Sequence, residues 1–464
     1  MDLLLAYLPS GLVLGYGLIL LKKPFFSLAT RSVDLLNVLI AELDEDEKYR
    51  VVSSKVGPTI KELLLLLLAF VAVVAATYGA FLMGTVLLHS LLPNSAPHPL
   101  WGLLVLSLAA TVPFLRAPKS KSGYSEVSQL FHHLVLDNTH LGKRLFKSQI
   151  NGIEHPVPVV GPGDSVKTTA VIITGLARTG TTVLAKELAA RGPFKSLTYA
   201  NLPFLLAPKL WGRIYRPKSG ELEERAHGDG IKVGKDSVEA LEEYFFQTFG
   251  PKYVEQDKLL THTLDGSLND LYRRYQRSLT GDDRIYLAKN NNAILRYPSL
   301  VANNPDFAVF ILFRDPLDHA YSLLKQHQRF LQKQDEDPFV LTFMNWLGHY
   351  EFGHGQRPFD LPTLPKAPFA GDATSLNYWL ERWISYYSYV LTLDRPQLIS
   401  FETFTKDPQA VLASIAEATG LAVDPSGLEP YQKTAPDFPE HDAHLAQRAM
   451  EIYSALNEAS FCKV

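Results

Sequence analysis

The 464-residue chain balances 45 Lys and Arg against 48 Asp and Glu, and a formal charge of −3 offers no basic surface for a polyanion, so nucleic acid is not an expected partner. One cysteine, Cys462, excludes an intrachain disulfide and suits a reducing cytosolic setting. Nearly all long apolar runs fall before residue 117, so a membrane module followed by a larger soluble domain is expected.

Within the module, Leu3 to Leu21 is a candidate span interrupted by Pro9, Gly11, Gly15 and Gly17, able to cross the bilayer or lie in its interface. Lys22 and Lys23 follow this run instead of preceding it, which is the wrong order for a cleavable secretory signal. Ile60 to Leu92 carries no charge between Glu62 and His89 and exceeds the roughly 20 residues needed to span a bilayer. Leu100 to Leu115 is a shorter second span, returned by the turn LPNSAPHP as a helical hairpin. Lys22, Lys23, Arg31, Lys48, Arg50, Lys55 and Lys61 precede the long span, and Arg116, Lys119 and Lys121 follow the hairpin. The positive-inside rule therefore assigns 22–60 and everything after 116 to the cytoplasm.

Residues 117–165 form a juxtamembrane connector ending in VPVVGPGD. Over 166–464, strands and helices alternate. Ala170 to Thr174 is a short continuous apolar run, as for a strand buried on both faces, and Thr182 to Arg191 is helical until Gly192-Pro193. Arg284 to Ala288, Ala308 to Phe313 and Gln397 to Phe401 are further strands. The expected class is α/β: a P-loop-like parallel sheet flanked by helices, with an N-terminal transmembrane helical module.

Gly175 to Thr182, GLARTGTT, joins the first strand to its helix with two glycines five apart, the form of a loop whose backbone N–H groups and helix N-terminus attract anions. A nucleotide triphosphatase places Lys after the second glycine; here Thr181 and Thr182 follow, and the cation sits inside the loop at Arg178. An ordinary glycine turn is the plain alternative. Phe310 to Gln326 repeats the plan: an apolar strand ends on Arg314, Asp315-Pro316 turns the chain, and Ser322, eight residues beyond Arg314, lies a helical turn or so into the following helix, where its hydroxyl can face Arg314.

GLARTGTTVL followed by RDPLDHAYS resembles the paired signatures of the sulfotransferase family that uses 3′-phosphoadenosine-5′-phosphosulfate, most closely its bacterial and membrane-type branch, over roughly residues 168 to 425. The resemblance implies that Arg178, Thr179, Gly180, Thr181 and Thr182 hold the 5′-phosphosulfate, and that Arg314 and Ser322 hold the 3′-phosphate. YLAKNNN, with Lys289, and ISFETFTKDP are similar to later family segments. The implied reaction moves a sulfuryl group from that nucleotide to an acceptor hydroxyl. Arg178 and Lys289 would neutralise the developing charge, and no metal would be required. His132-His133, and His349 with His354, show no metal-ligand pattern.

The acceptor's general base is less determined. The Glu pair that some membrane sulfotransferases carry after the first loop corresponds to Tyr199-Ala200 here. The nearest replacements lie in Glu223 to Phe246: His227 in a Gly-rich loop, and Glu242 or Glu243 before an aromatic run, whereas Asp236 and Glu239 fit a helix capping box. The aromatic stretches YFFQTF and FMNWLGHYEF are candidates for core or for a pocket wall. A tethered cytosolic site suits membrane lipids as partners and a hydroxyl of a lipid or lipid-linked glycan as acceptor, at a bacterial inner membrane. A nucleotide kinase or triphosphatase using the same cradle, and a non-catalytic membrane protein with this fold, are the competing readings.

Overall fold

The computed structural model describes residues 2–41, 43–91, 99–116, 125–154, 167–214, 223–224, 232–233, 240–281, 283–362, 372–431 and 437–462. Its chain divides into the units Met1–His140 and Leu141–Val464. The first unit holds α1 (Asp2–Ile40), α2 (Glu45–Leu91), α3 (Pro99–Arg116) and α4 (Glu126–Leu136). Two helices, over Tyr7–Ile40 and Glu45–Leu91, are long and apolar enough to cross a membrane. The turn expected at LPNSAPHP lies outside the described residues over 92–98.

Pro9 and the three glycines do not interrupt α1, which runs unbroken for 39 residues. Its glycines are places of close packing. A Cβ on Gly11 would lie 2.5 Å from the Ala109 Cβ, one on Gly15 2.4 Å from the Ala110 carbonyl oxygen, and one on Gly17 2.5 Å from Val73. Small residues at such a seam let helix backbones approach closely. Beyond the apolar stretches polar ties take over: Ser27 and Arg31 hold Glu62 at 2.7 and 2.8 Å. Lys22 pairs with Glu126 at 2.8 Å, and His133 meets Asp34 at 2.9 Å. With Asp137, His133 and Asp34 are the one group among the described residues whose His and carboxylate atoms gather within 4.8 Å of one another.

The connector expected over 117–165 is not one piece: α4 packs with α1, whereas α5 (Thr139–Ile150) falls mostly in the second unit. There Phe146 of α5 is buried against Phe245, Phe249 and Tyr275. The boundary motif VPVVGPGD lies outside the described residues.

In the second unit a five-stranded parallel sheet comprises β1 (Ala170–Thr174), β2 (Phe194–Lys195), β3 (Ile285–Lys289), β4 (Phe307–Phe313) and β5 (Gln397–Ser400), in spatial order β2-β3-β1-β4-β5. Four strands fall where the apolar runs placed them, within a residue at each end. The two-residue edge strand β2 was not anticipated, being too short to carry a period. From β1 the chain runs first to one side of the sheet and later to the other, so its C-terminal edge is the crevice in which such sheets bind ligands. Val171, Ile173, Leu287, Phe310, Leu312 and Ile399 fill the core with Leu184 and Leu188 of α6 (Thr181–Arg191).

The opposite edge is pinned by charge. Arg273, in the helix Gly266–Thr280, forks onto Asp306 just before β4 at 2.8 and 2.9 Å and also reaches the Asn304 side chain at 2.8 Å. Both ionic groups are buried, so removing one leaves the other uncompensated. Arg273→Ala is expected to cost about 3–5 kcal/mol, read as a lower thermal unfolding midpoint of the full chain; an unchanged midpoint would show that the pair is dispensable.

Candidate functional site

The loop after β1 needs backbone that ordinary residues avoid. Gly175 (φ 146), Arg178 (φ 73) and Gly180 (φ 90) all have positive φ, and Arg178 is a bulky residue in that region. A Cβ on Gly175 would lie 2.7 Å from the Leu312 carbonyl oxygen, and one on Gly180 2.5 Å from the Phe401 ring, so β4 and the segment after β5 press against the loop. Thr179 is fully buried, and its hydroxyl donates to the Leu176 carbonyl at 2.8 Å. Gly180 caps α6 with no side-chain bond, so the first amides of an 11-residue helix point to the sheet edge beside the buried Thr181 and Thr182.

The second motif closes on the first. β4 ends before Arg314, and Asp315 caps the helix Pro316–Glu336 by accepting from the Asp318 amide at 3.0 Å. Arg314 Nη1 donates to the Arg178 carbonyl at 3.4 Å, and Arg178 Nε donates to Ser322 Oγ at 3.3 Å. The hydroxyl expected to meet Arg314 thus meets the loop arginine, and the two motifs interlock through each other's cations. Arg314 lies over the Phe401 ring at 4.8 Å, and its Nε is buried without a hydrogen-bond partner among the described residues. Burial depresses the Arg314 guanidinium; the carboxylates of Asp318 and Glu402 oppose this, and the charge of Arg178 adds to it. Two close cations, an orphaned donor and a bare helix N-terminus together form a hole for an anion.

His319, one turn into the same helix and not singled out from sequence, fixes the loop from beneath. The ring is fully buried and its Nε2 lies 2.7 Å from the Ala177 carbonyl, so it donates there as a neutral imidazole. Burial, aided by Arg314 and Arg178, pushes its pKa down to about 3.

Lys289 ends β3 in register with Ile173, one strand from the loop, and is buried. The three asparagines after it each hold another segment. Asn290 donates to Glu242 and Glu243, both at 2.9 Å, Asn291 to Glu351 at 3.0 Å, and Asn292 to the Gly348 carbonyl at 2.8 Å.

This arrangement corrects the expectation for Glu242 and Glu243. The Glu242 oxygens accept from Tyr272 at 2.6 Å, Tyr286 at 2.8 Å and Asn290, and burial pushes its carboxyl up against the effect of those donors. The Glu243 oxygens are taken by Tyr253, Asn290 and the buried Arg296. With all four oxygens engaged inside the core, neither carboxylate meets an acceptor; both brace the asparagine turn beside Lys289. His227, Asp236 and Glu239 lie outside the described residues. The aromatic run after Glu243 is core, with Tyr244, Phe245 and Phe246 buried.

A second cluster escaped the sequence reading. Glu351 has its Oε1 3.5 Å from His349 Nδ1, and it borders a narrow apolar cavity that starts at Leu176 and Ala177 of the loop. Burial would raise its pKa, but His349 and Lys289 outweigh it and hold the carboxyl at about 2. His354 is apart from this group, on Asp335 at 2.7 Å.

Gly180→Ala is expected to destabilise the unit by about 1–3 kcal/mol through forced positive φ and collision with Phe401, measured by thermal unfolding; no loss would mean that the loop tolerates another path. For His319 the unfolded ring titrates near 6.5, so on acidification the unfolded chain takes up its proton first. This contribution is complete above that pH and declines toward about 3, by up to ~1.4 kcal/mol per pH unit. His319→Gln keeps an N–H donor and should flatten the fall in stability between roughly pH 6.5 and 5, whereas an unchanged slope would contradict a neutral buried ring.

No family model matches the chain, and no curated protein matches it. Solved structures similar to it include three sulfotransferases. Sulfotransferase STF1 from Mycobacterium tuberculosis H37Rv is 15% identical over 73% of this chain and 87% of that one, with a TM-score of 0.35. A sulfotransferase from Alicyclobacillus acidocaldarius is 14% identical over 64% and 94%, with a TM-score of 0.26. Sulfotransferase STF9 from Mycobacterium avium is 13% identical over 78% and 84%, with a TM-score of 0.30. Likeness this loose decides neither chemistry nor substrate, which rest on the residues described above.

Proposed function

We propose that the chain is a membrane-anchored sulfotransferase that takes a sulfuryl group from 3′-phosphoadenosine-5′-phosphosulfate and gives it to an acceptor hydroxyl. The observation that carries this reading is the interlock of Arg178, Arg314 and Ser322 around the uncapped N-terminus of α6. Two interlocked sets of anion-holding groups, one from each strand end, suit a nucleotide with phosphates at both its 5′ and 3′ positions. A triphosphate would need the lysine that Thr181 replaces.

In this reading the backbone of Gly180 to Thr182 and the Arg178 guanidinium hold the 5′-phosphosulfate, while Arg314 and Ser322 hold the 3′-phosphate. The acceptor oxygen forms a bond to sulfur as the sulfur–oxygen bond to the 5′-phosphate breaks, its electron pair leaving on adenosine 3′,5′-bisphosphate. Arg178 and Lys289 neutralise the charge gathering on the bridging oxygen, so the protein's part is positioning and electrostatics. The His319 contact and the asparagine turn supply the rigidity this needs, since small misplacements are costly in rate. No step calls for a metal.

The long helices α1 and α2 would anchor the enzyme, and the Lys and Arg bias would set the catalytic unit on the cytoplasmic face of a bacterial inner membrane. The donor nucleotide reaches that face without transport.

Calorimetric titration of the full chain with adenosine 3′,5′-bisphosphate, against ATP with Mg²⁺, tests the reading. The bisphosphate should bind in preference. Arg314→Ala and Ser322→Ala should each weaken it by about ten- to a hundredfold, as loss of a charge-assisted hydrogen bond would. Preference for ATP, or binding indifferent to both substitutions, would overturn it.

A further inference from the structure

The acceptor side is marked by the cavity that starts at the phosphate loop. Its exposed lining is mostly apolar, with Leu176, Leu323, Phe359, Trp379 and Tyr386 contributing, and Glu351, Asn292, Gln356, Ser385 and the arginines Arg357 and Arg382 are the polar residues along it. A mostly apolar lining with polar groups placed along it can hold one functional group of a ligand at a fixed point.

Glu351 supplies such a point. Asn291 and His349 both approach Oε1, at 3.0 and 3.5 Å. Asn291 is two residues beyond Lys289, so one asparagine turn positions both this carboxylate and the ammonium assigned to the leaving oxygen. The charged and titratable groups around Glu351 come from four segments, one of them the helix Leu376–Val390, whose Arg382 lines the same cavity. Lys289 ends β3, His349 and Tyr350 share its own loop with Gly348 packed on Glu243, and Arg357 stacks on Tyr350 at 4.6 Å.

We infer that Glu351 is the group that receives the acceptor's proton, and that the acceptor is a neutral alcohol whose hydroxyl-bearing end enters this cavity, which at about 40 Å³ admits no more than that end. The inference rests on the sulfotransferase reading and gives that site its second substrate class. Oε1 stays on Asn291 and His349, and Oε2 accepts the hydroxyl. As the oxygen–sulfur bond forms, the proton passes to Oε2, and the sulfur–oxygen bond to the 5′-phosphate breaks with its electron pair on the departing bisphosphate. Glu351 then loses the proton to water. A carboxyl held at about 2 is a weak base, but it is always ionised at neutral pH, and an oxygen bonding to sulfur becomes acidic enough to need little more than a well-placed acceptor. His349 is a positioning residue that keeps the carboxylate ionised.

The test uses the full chain in detergent with labelled donor nucleotide and two apolar alcohols, 2-naphthol and 1-decanol, alongside bisphosphate binding. The wild-type chain should transfer label to at least one of them. Glu351→Gln should lower kcat by about 10²–10⁴-fold while the bisphosphate Kd stays within about twofold, and Glu351→Asp should recover part of the loss. His349→Asn should move the acid limb of kcat/KM to higher pH, because burial then raises Glu351 with less opposition. Transfer by Glu351→Gln within about threefold of wild type would overturn the assignment, as would bisphosphate binding without transfer to either alcohol. A wild-type chain that does not bind the bisphosphate would remove the sulfotransferase reading as well.

Discussion

The second unit is organised around two guanidiniums that its fold forces together. Arg178, held at positive φ, donates to Ser322 from a loop at the end of β1, and Arg314, at the end of β4, donates to the Arg178 carbonyl. Adjacent cations repel, so surrounding structure must hold them. The His319 contact, the Glu402 carboxylate receiving the Asp315 amide at 3.3 Å, and the tight fit of Gly175 and Gly180 supply that constraint. On the proposed reading, this strained edge, where Asp318 and Glu402 offset part of the repulsion between the two guanidiniums, is a preorganised anion site.

The opposite flank is built from buried polar groups. Glu242 and Glu243 lie in the core among tyrosines, Asn290 and Arg296, so the turn after Lys289 is fixed from within. Arg296 also lies 3.6 Å from the centre of the Phe246 ring, and His262, pushed down to about 4 by burial and that guanidinium, sits 3.0 Å from its Nη1. A network this saturated specifies one geometry, because losing a single partner strands the rest. On the proposed reading, it fixes where Lys289 and Glu351 stand relative to the phosphate loop.

How much of this was legible in the sequence follows from the range of the interactions. β1, β3, β4 and β5 are continuous apolar runs bounded by turns, and the glycine loop after β1 is a local pattern, so both are legible directly. The Arg314–Ser322 pairing expected from the spacing is not the one found, since Ser322 meets Arg178 and residue spacing does not give side-chain direction. Glu242 and Glu243 were misjudged for a different reason. Their partners lie 30 to 53 residues away for Tyr272, Tyr286, Asn290 and Arg296, and an acidic pair before an aromatic run has the same pattern whether it faces water or core. Glu351 left no local signal, because its neighbours Lys289 and Asn291 come from a distant strand end. The glycines of α1 read as interruptions in the sequence because propensity disfavours them in helices, and helix packing overrides that preference.

A structure of the full chain with adenosine 3′,5′-bisphosphate tests the two-holder site most directly. The 3′-phosphate should lie against Arg314 and Ser322, with the 5′-phosphate on the amides of Gly180 to Thr182. A nucleotide bound with neither phosphate touching Arg314 or Ser322 would contradict it.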